Sequence, residues 1–196
     1  MIKVIDKNPR RRHLHRRFAT SASDAASCRR PFSRAVARAN KRLYELGWGK
    51  LVEGVRVKLA EVGKGSFYYF KQDIIKLDTD VAYWAAIAVR SREYLYLHEL
   101  GHRFNERFLK RKDRKELQAL FGDYDAPYKQ VFTEADTFVS RYATTHPAED
   151  FAETFAVIVY SAVNRLPLSK LAGKNRVCQR KVRKVAALLS CRLGSR

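Results

Sequence analysis

Cysteine is scarce in this chain: Cys28, Cys178 and Cys191 are the only three in 196 residues, and no two form a CxxC pair. Their odd number and wide spacing exclude a disulfide framework and a zinc site built on thiolates, and fit the reduced cysteines of a cytosolic protein. Long apolar runs are also missing. No stretch approaches the roughly 18 consecutive apolar residues of a membrane helix, and the N-terminus lacks the apolar core of a secretory signal. The expected location is therefore intracellular and cytoplasmic, with virion-associated and organellar locations as alternatives. The organellar alternative rests on residues 10–30, rich in Arg, Ser and Ala with Asp24 as their single acid, a presequence-like composition. No internal repeat is apparent.

Acidic residues are absent from one end and rare at the other. Residues 165–196 carry ten Lys and Arg with no acid, and residues 1–42 carry thirteen against Asp6 and Asp24. The formal charge of +20 therefore belongs to the ends, and residues 43–164 are close to neutral. Basic ends of this kind suit nucleic acid or another acidic partner, with Arg10, Arg11, Arg12, Arg16, Arg17, Arg180, Lys181, Arg183 and Lys184 as the candidate contacts. Aromatics for base stacking are also few there, only Phe18 and Phe32 in the first end and none in the last. Backbone contact without stacking is the expected mode.

What is present is a chain with 46% hydrophobic and 12% aromatic residues, enough for one domain with a proper core. Residues 1–31 read as an extended basic arm punctuated by Pro9 and Pro31. Residues 32–46 place Phe32, Val36, Ala39, Leu43 and Leu46 at helical spacing, stopped by Gly47. Val55, Val57 and Leu59 alternate before the aromatic run 67–70, and the intervening Gly63-Lys64-Gly65 predicts a β-hairpin. A third strand follows at 73–78, and periodicity leaves 81–89 open between helix and strand. Helices are expected over 91–109 and 129–141, and a third starts with Pro147 at its first position and continues over 149–163. Residues 110–115 read as a charged surface stretch, and Cys178, Val182, Val185 and Leu189 as one stripe of a basic helix. Strands followed by helices make the fold α+β. The expected organisation is a basic arm at 1–31, a central domain at 32–164 and a basic helical extension at 165–196.

One stretch states a chemistry: His98-Glu99-Leu100-Gly101-His102. On a helix, positions i and i+4 share a face, so both imidazoles can give a neutral nitrogen to one tetrahedral Zn²⁺. Glu99 lies about 100° round the helix from His98, placed to hold a water near the metal as general base. This is the HExxH arrangement of zinc peptidases, and Gly101 leaves room beside the second ligand. A catalytic zinc needs a third protein ligand. The glycine and histidine of an HExxHxxGxxH extension are replaced by Asn105 and Phe108, and the NExxSD block of thermolysin-like enzymes is absent. His146, Glu134, Asp136, Glu149, Asp150 and Glu153 remain. Glu149 is favoured, because it falls in the first turn of a helix whose Phe151, Phe155 and Ile158 face would pack beside the HELGH helix. Glu153, one turn on, can then hydrogen-bond a ligating ring.

Residues 142–155 run Tyr-Ala-Thr-Thr-His-Pro-Ala-Glu-Asp-Phe-Ala-Glu-Thr-Phe. Together with HELGH, over about residues 70–160, they resemble the gluzincin-type zinc peptidases related to the anthrax lethal factor catalytic domain and the Pro-Pro endopeptidases. In that group HExGH is followed by a Tyr and, seven residues later, by the third ligand inside an E-[DFY]-F-A-E-[STA]-F run. Arg103 stands where an apolar residue commonly follows the second His. The resemblance implies a zincin-like fold: a small, mostly antiparallel sheet, an active-site helix carrying HExxH and a helical C-terminal half. It also implies zinc held by His98, His102 and Glu149, with Glu99 as base, Tyr142 as hydrogen-bond donor to the transition state and Glu153 in support. The expected activity is metalloendopeptidase cleavage of a peptide or protein substrate. By fold-level analogy that substrate would lie along 74–77 as an extra strand at the sheet edge. The alternative is a nucleic-acid-associated binding or structural protein, phage or mobile-element encoded, in which the scaffold carries the basic arms.

Overall fold

The computed structural model describes residues 22–60, 65–79, 91–129, 136–170, 172 and 175–194, with the side chains of 22–29 excepted. Expectations for the arm at 1–21, including Arg10, Arg11, Arg12, Arg16 and Arg17, for 81–89 and for Glu134 lie outside these residues. Five helices and a three-stranded sheet make up the described fold.

Helix α1, Ala22–Glu45, starts ten residues earlier than the apolar spacing predicts and runs through Pro31, so 22–31 are helix and not extended arm. The alanines around Cys28 are strong helix formers and carry the helix past the proline. Phe32, Ala35, Ala39 and Leu43 bury one face. Gly47, at φ +76, turns the chain out of the helix, the left-handed conformation a C-terminal glycine supplies.

Strands β1 (Arg56–Ala60), β2 (Phe67–Tyr69) and β3 (Ile74–Asp78) form a sheet of order β1-β3-β2. β1 runs parallel to β3 from Arg56 opposite Ile74 to Ala60 opposite Asp78, and β2 runs antiparallel to it. The sheet is therefore mixed and not mostly antiparallel, and the predicted hairpin between 55–59 and 67–70 does not form. The reason is burial. The most deeply buried strand residues, Ile75, Leu77 and Asp78, all lie on β3, with Ile74 also buried, so β3 takes the centre and the two half-exposed strands flank it. The same topology corrects the substrate expectation: residues 74–77 have a strand on either side and offer no free edge.

Helix α2, Arg92–Arg107, starts at Ser91, whose Oγ accepts the Tyr94 N–H at 3.0 Å, a standard N-cap. Residues 110–115 are not a loose surface stretch. Asp113 accepts the Lys110 N–H at 2.8 Å and opens α3, Arg111–Phe121, which buries Leu117 and Phe121. In the region expected as a helix over 129–141, the described residues 136–141 form turns and bends, followed by the 3₁₀ turn Tyr142–Thr145. Helix α4, Pro147–Val163, is apolar almost all round and correspondingly buried. It crosses α2 at Gly101, where a Cβ would lie 3.0 Å from Ala152 Cα and 3.1 Å from Ala152 O. The glycine of HELGH thus makes room for the α4 backbone, not for a ligand.

Helix α5, Arg176–Leu193, buries Cys178, Val182, Val185 and Leu189 in the same core as α4. Lys181 reaches Asp150 of α4 at 2.6 Å and lies 4.1 Å over the Phe138 ring. Among the described residues of the basic C-terminal segment, α5 thus packs in the same core as α4. Among the described residues no helix is long and apolar enough to cross a membrane.

Candidate metal centre

Arg103, one residue past the motif, fixes α2 to the sheet. Its guanidinium makes a two-pronged pair with Asp73, 2.7 Å from each oxygen, and donates to the carbonyls of Leu51 at 2.6 Å and Glu53 at 2.7 Å. A buried Arg is tolerated only with its donors satisfied this way. An apolar residue at 103 could not tie α2 to both the start of β3 and the loop before β1.

With α2 held, His98 and His102 project from one face with ring centroids 4.9 Å apart and Nε2 atoms 3.2 Å apart. The first turn of α4 brings Glu149 Oε2 to 3.0 Å from His98 Nε2 and 3.4 Å from His102 Nε2. One ligand atom from each of the three lies within 4.8 Å of the others. Two imidazole nitrogens and one carboxylate oxygen, converging from two helices, form a donor set that could hold a metal ion.

The side chains behind the donors fit the same ion. His98 Nδ1 is 2.7 Å from Glu153 Oε1, which places the ring proton on Nδ1 and turns the Nε2 lone pair toward the cluster. Tyr94 donates to Glu153 Oε2 at 3.2 Å. Burial opposes charge on His98, yet its hydrogen bonds to Glu149 and Glu153 outweigh that and hold its pKa well above the ordinary value. Burial likewise pushes Glu149 up, and the two histidines overcome it and hold it well below. Glu99, almost fully buried, has its pKa raised, first by burial, against the opposing pull of both imidazoles and a Tyr68 backbone N–H.

Tyr142 opens the 3₁₀ turn ahead of α4; it is 44% exposed, with its ring centroid 5.8 Å from that of His98. His146 is not a ligand. Its Nδ1 accepts the Ala148 N–H at 3.1 Å and its Nε2 donates to Ala126 O at 2.8 Å, so it caps α4. Asp150 turns away to Lys181, and burial pushes its pKa up to about 6 despite that partner. Two contributors escaped the sequence. Tyr128 donates to Glu149 Oε1 at 2.7 Å from a loop with no periodic signal. Tyr94 was legible only as an apolar position, although it lies one helical turn before His98.

Residues 95–166 match a family model described as "Putative zinc-binding metallo-peptidase". That span contains all three cluster residues. Three uncharacterized proteins, one from Mycobacterium bovis and two from strains of Mycobacterium tuberculosis, are each 38% identical over 73 residues. The similarity covers 31% of this chain and 21% of each relative, so the chain matches about a fifth of their length. No solved structure matches. The matched span and the cluster both fit a zinc-binding metallopeptidase.

The basic residues of the C-terminal helix divide. Lys181 is buried and paired, which corrects its placement on a partner-binding face: its ammonium neutralises Asp150 and is covered by aromatic rings. Lys184 pairs with Glu116 of α3. Arg180 and Arg183 are exposed.

Proposed function

We propose that the protein is a zinc-dependent metalloendopeptidase of gluzincin type. The observation that carries this reading is the convergence of His98 and His102 of α2 with Glu149 of α4, beside the buried Glu99 of α2. A zinc ion held by those three residues would supply Lewis acidity, polarising the scissile carbonyl and bringing the pKa of a water to about 7. Glu99 would take the proton from the attacking water and return it to the leaving amine. A carboxyl whose pKa is raised by burial suits both halves of that exchange. Tyr142 would donate a hydrogen bond to the oxyanion that develops as the carbonyl is attacked. Glu153, backed by Tyr94, would hold the His98 ring in its metal-facing orientation.

The substrate class is a peptide or protein. Among the described residues β2 is an edge strand, and its Tyr68 N–H reaches Glu99. An extended substrate would therefore lie against β2 and not β3.

Glu99→Gln is the direct test. It should keep zinc and the fold while peptide cleavage, read by mass spectrometry on a proteome-derived peptide library, falls by at least roughly 10²-fold. Cleavage at the wild-type rate by this variant would overturn the mechanism.

A further inference from the structure

The two oxygens of Glu149 have different surroundings. Oε2 faces both imidazole nitrogens, whereas Oε1 accepts the Tyr128 hydroxyl proton at 2.7 Å. A carboxylate free to rotate can offer both oxygens to a metal. One whose second oxygen is already hydrogen-bonded offers one, and a catalytic zinc depends on keeping a position for water.

The hydroxyl is held where it is by contacts that involve no donor of the cluster. The Tyr128 ring stacks on His146, with centroids 4.1 Å apart and planes 10° apart. His146 is fixed at both nitrogens, by the Ala148 N–H and by Ala126 O. The neighbouring Lys129 N–H donates to Thr145 O at 2.8 Å. The loop before residue 130 is thereby strapped to the start of α4, the element that carries Glu149.

We propose that Tyr128 is a positioning residue that confines Glu149 to single-oxygen ligation, by the same logic through which Glu153 orients His98. This rests on the zinc reading above. Hydrogen-bonding partners behind a ligand typically govern roughly 10- to 100-fold of metal affinity.

The test is Tyr128→Phe in the full chain, which keeps the ring on His146 and removes only the hydroxyl. Zinc affinity is measured by competition with a chromophoric chelator, and Co²⁺ is then substituted to read coordination from its visible absorption. The expected results are zinc binding weakened about 10- to 100-fold and a weaker cobalt band, as Glu149 contributes its second oxygen and coordination number rises. His146→Ala, which removes the stacking support, should shift both readings the same way by a smaller factor. Wild-type affinity and an unchanged cobalt spectrum in Tyr128→Phe would overturn the inference while leaving the zinc site standing. Absence of zinc binding by the wild type would instead overturn the reading on which it rests.

Discussion

Four carboxylates near the cluster carry the same functional group and do different things, because each meets different neighbours. Glu149 faces two imidazoles, Glu153 meets the back of one imidazole, Glu99 is buried beside them, and Asp150 is neutralised by Lys181. Residue type and helical spacing made the first three legible in the sequence, since i, i+4 positions on two helices can be paired on paper. The Asp150–Lys181 pair was not legible: it joins residues 31 positions apart, and charge counting alone assigned Lys181 to a surface. Tyr128 was hidden for the same reason, as loop residues have no period that aims them. For Tyr142, Tyr142→Phe should lower kcat by roughly 10²- to 10³-fold, the usual cost of losing one oxyanion donor, with zinc affinity unchanged. Steady-state kinetics beside a chelator titration would show it, and unchanged kcat would remove Tyr142 from the chemistry.

At the level of elements, the helices that carry the site were readable and the strand order was not. The α2 and α4 periodicities fixed their inward faces to within a residue or two, and Pro147 marked the start of α4. Strand pairing depends on which strand buries most, a comparison between segments that alternation within one segment does not contain. The clamp between α2 and the sheet likewise appears only when Arg103 and Asp73 are brought together. The hydrogen bond from Arg103 holds the Asp73 carboxyl below its ordinary 3.8. A lowered folded-state pKa means that stability is present above the unfolded value and is lost as pH falls through the folded one. Asp73→Asn should therefore cost about 2 kcal/mol at pH 7, and the deficit should shrink as pH falls below about 4. Urea denaturation of chelator-treated wild type and variant at pH 7 and pH 3 would measure this, and an equal deficit at both would contradict it.

For the whole molecule, charge and packing divide the chain differently. By charge it has a near-neutral middle between two basic ends. By packing, α1 and α5 share one apolar core with the helices of the site, and Lys181 of the basic end is the counter-charge for a core carboxylate. Composition cannot tell a solvated charge from a buried one, which is why Lys181 read as a surface charge. The central claim concerns one point in this body, where two helices pack so closely at Gly101 that a Cβ there would lie 3.0 Å from Ala152 Cα, and bring three donors together. Its most direct measurement is the metal content of the full chain purified without chelator, by inductively coupled plasma mass spectrometry, beside His102→Ala and Glu149→Ala. The account predicts about one zinc per wild-type chain and loss of that zinc in both variants. A wild type without zinc, or variants that keep it in full, would contradict the account.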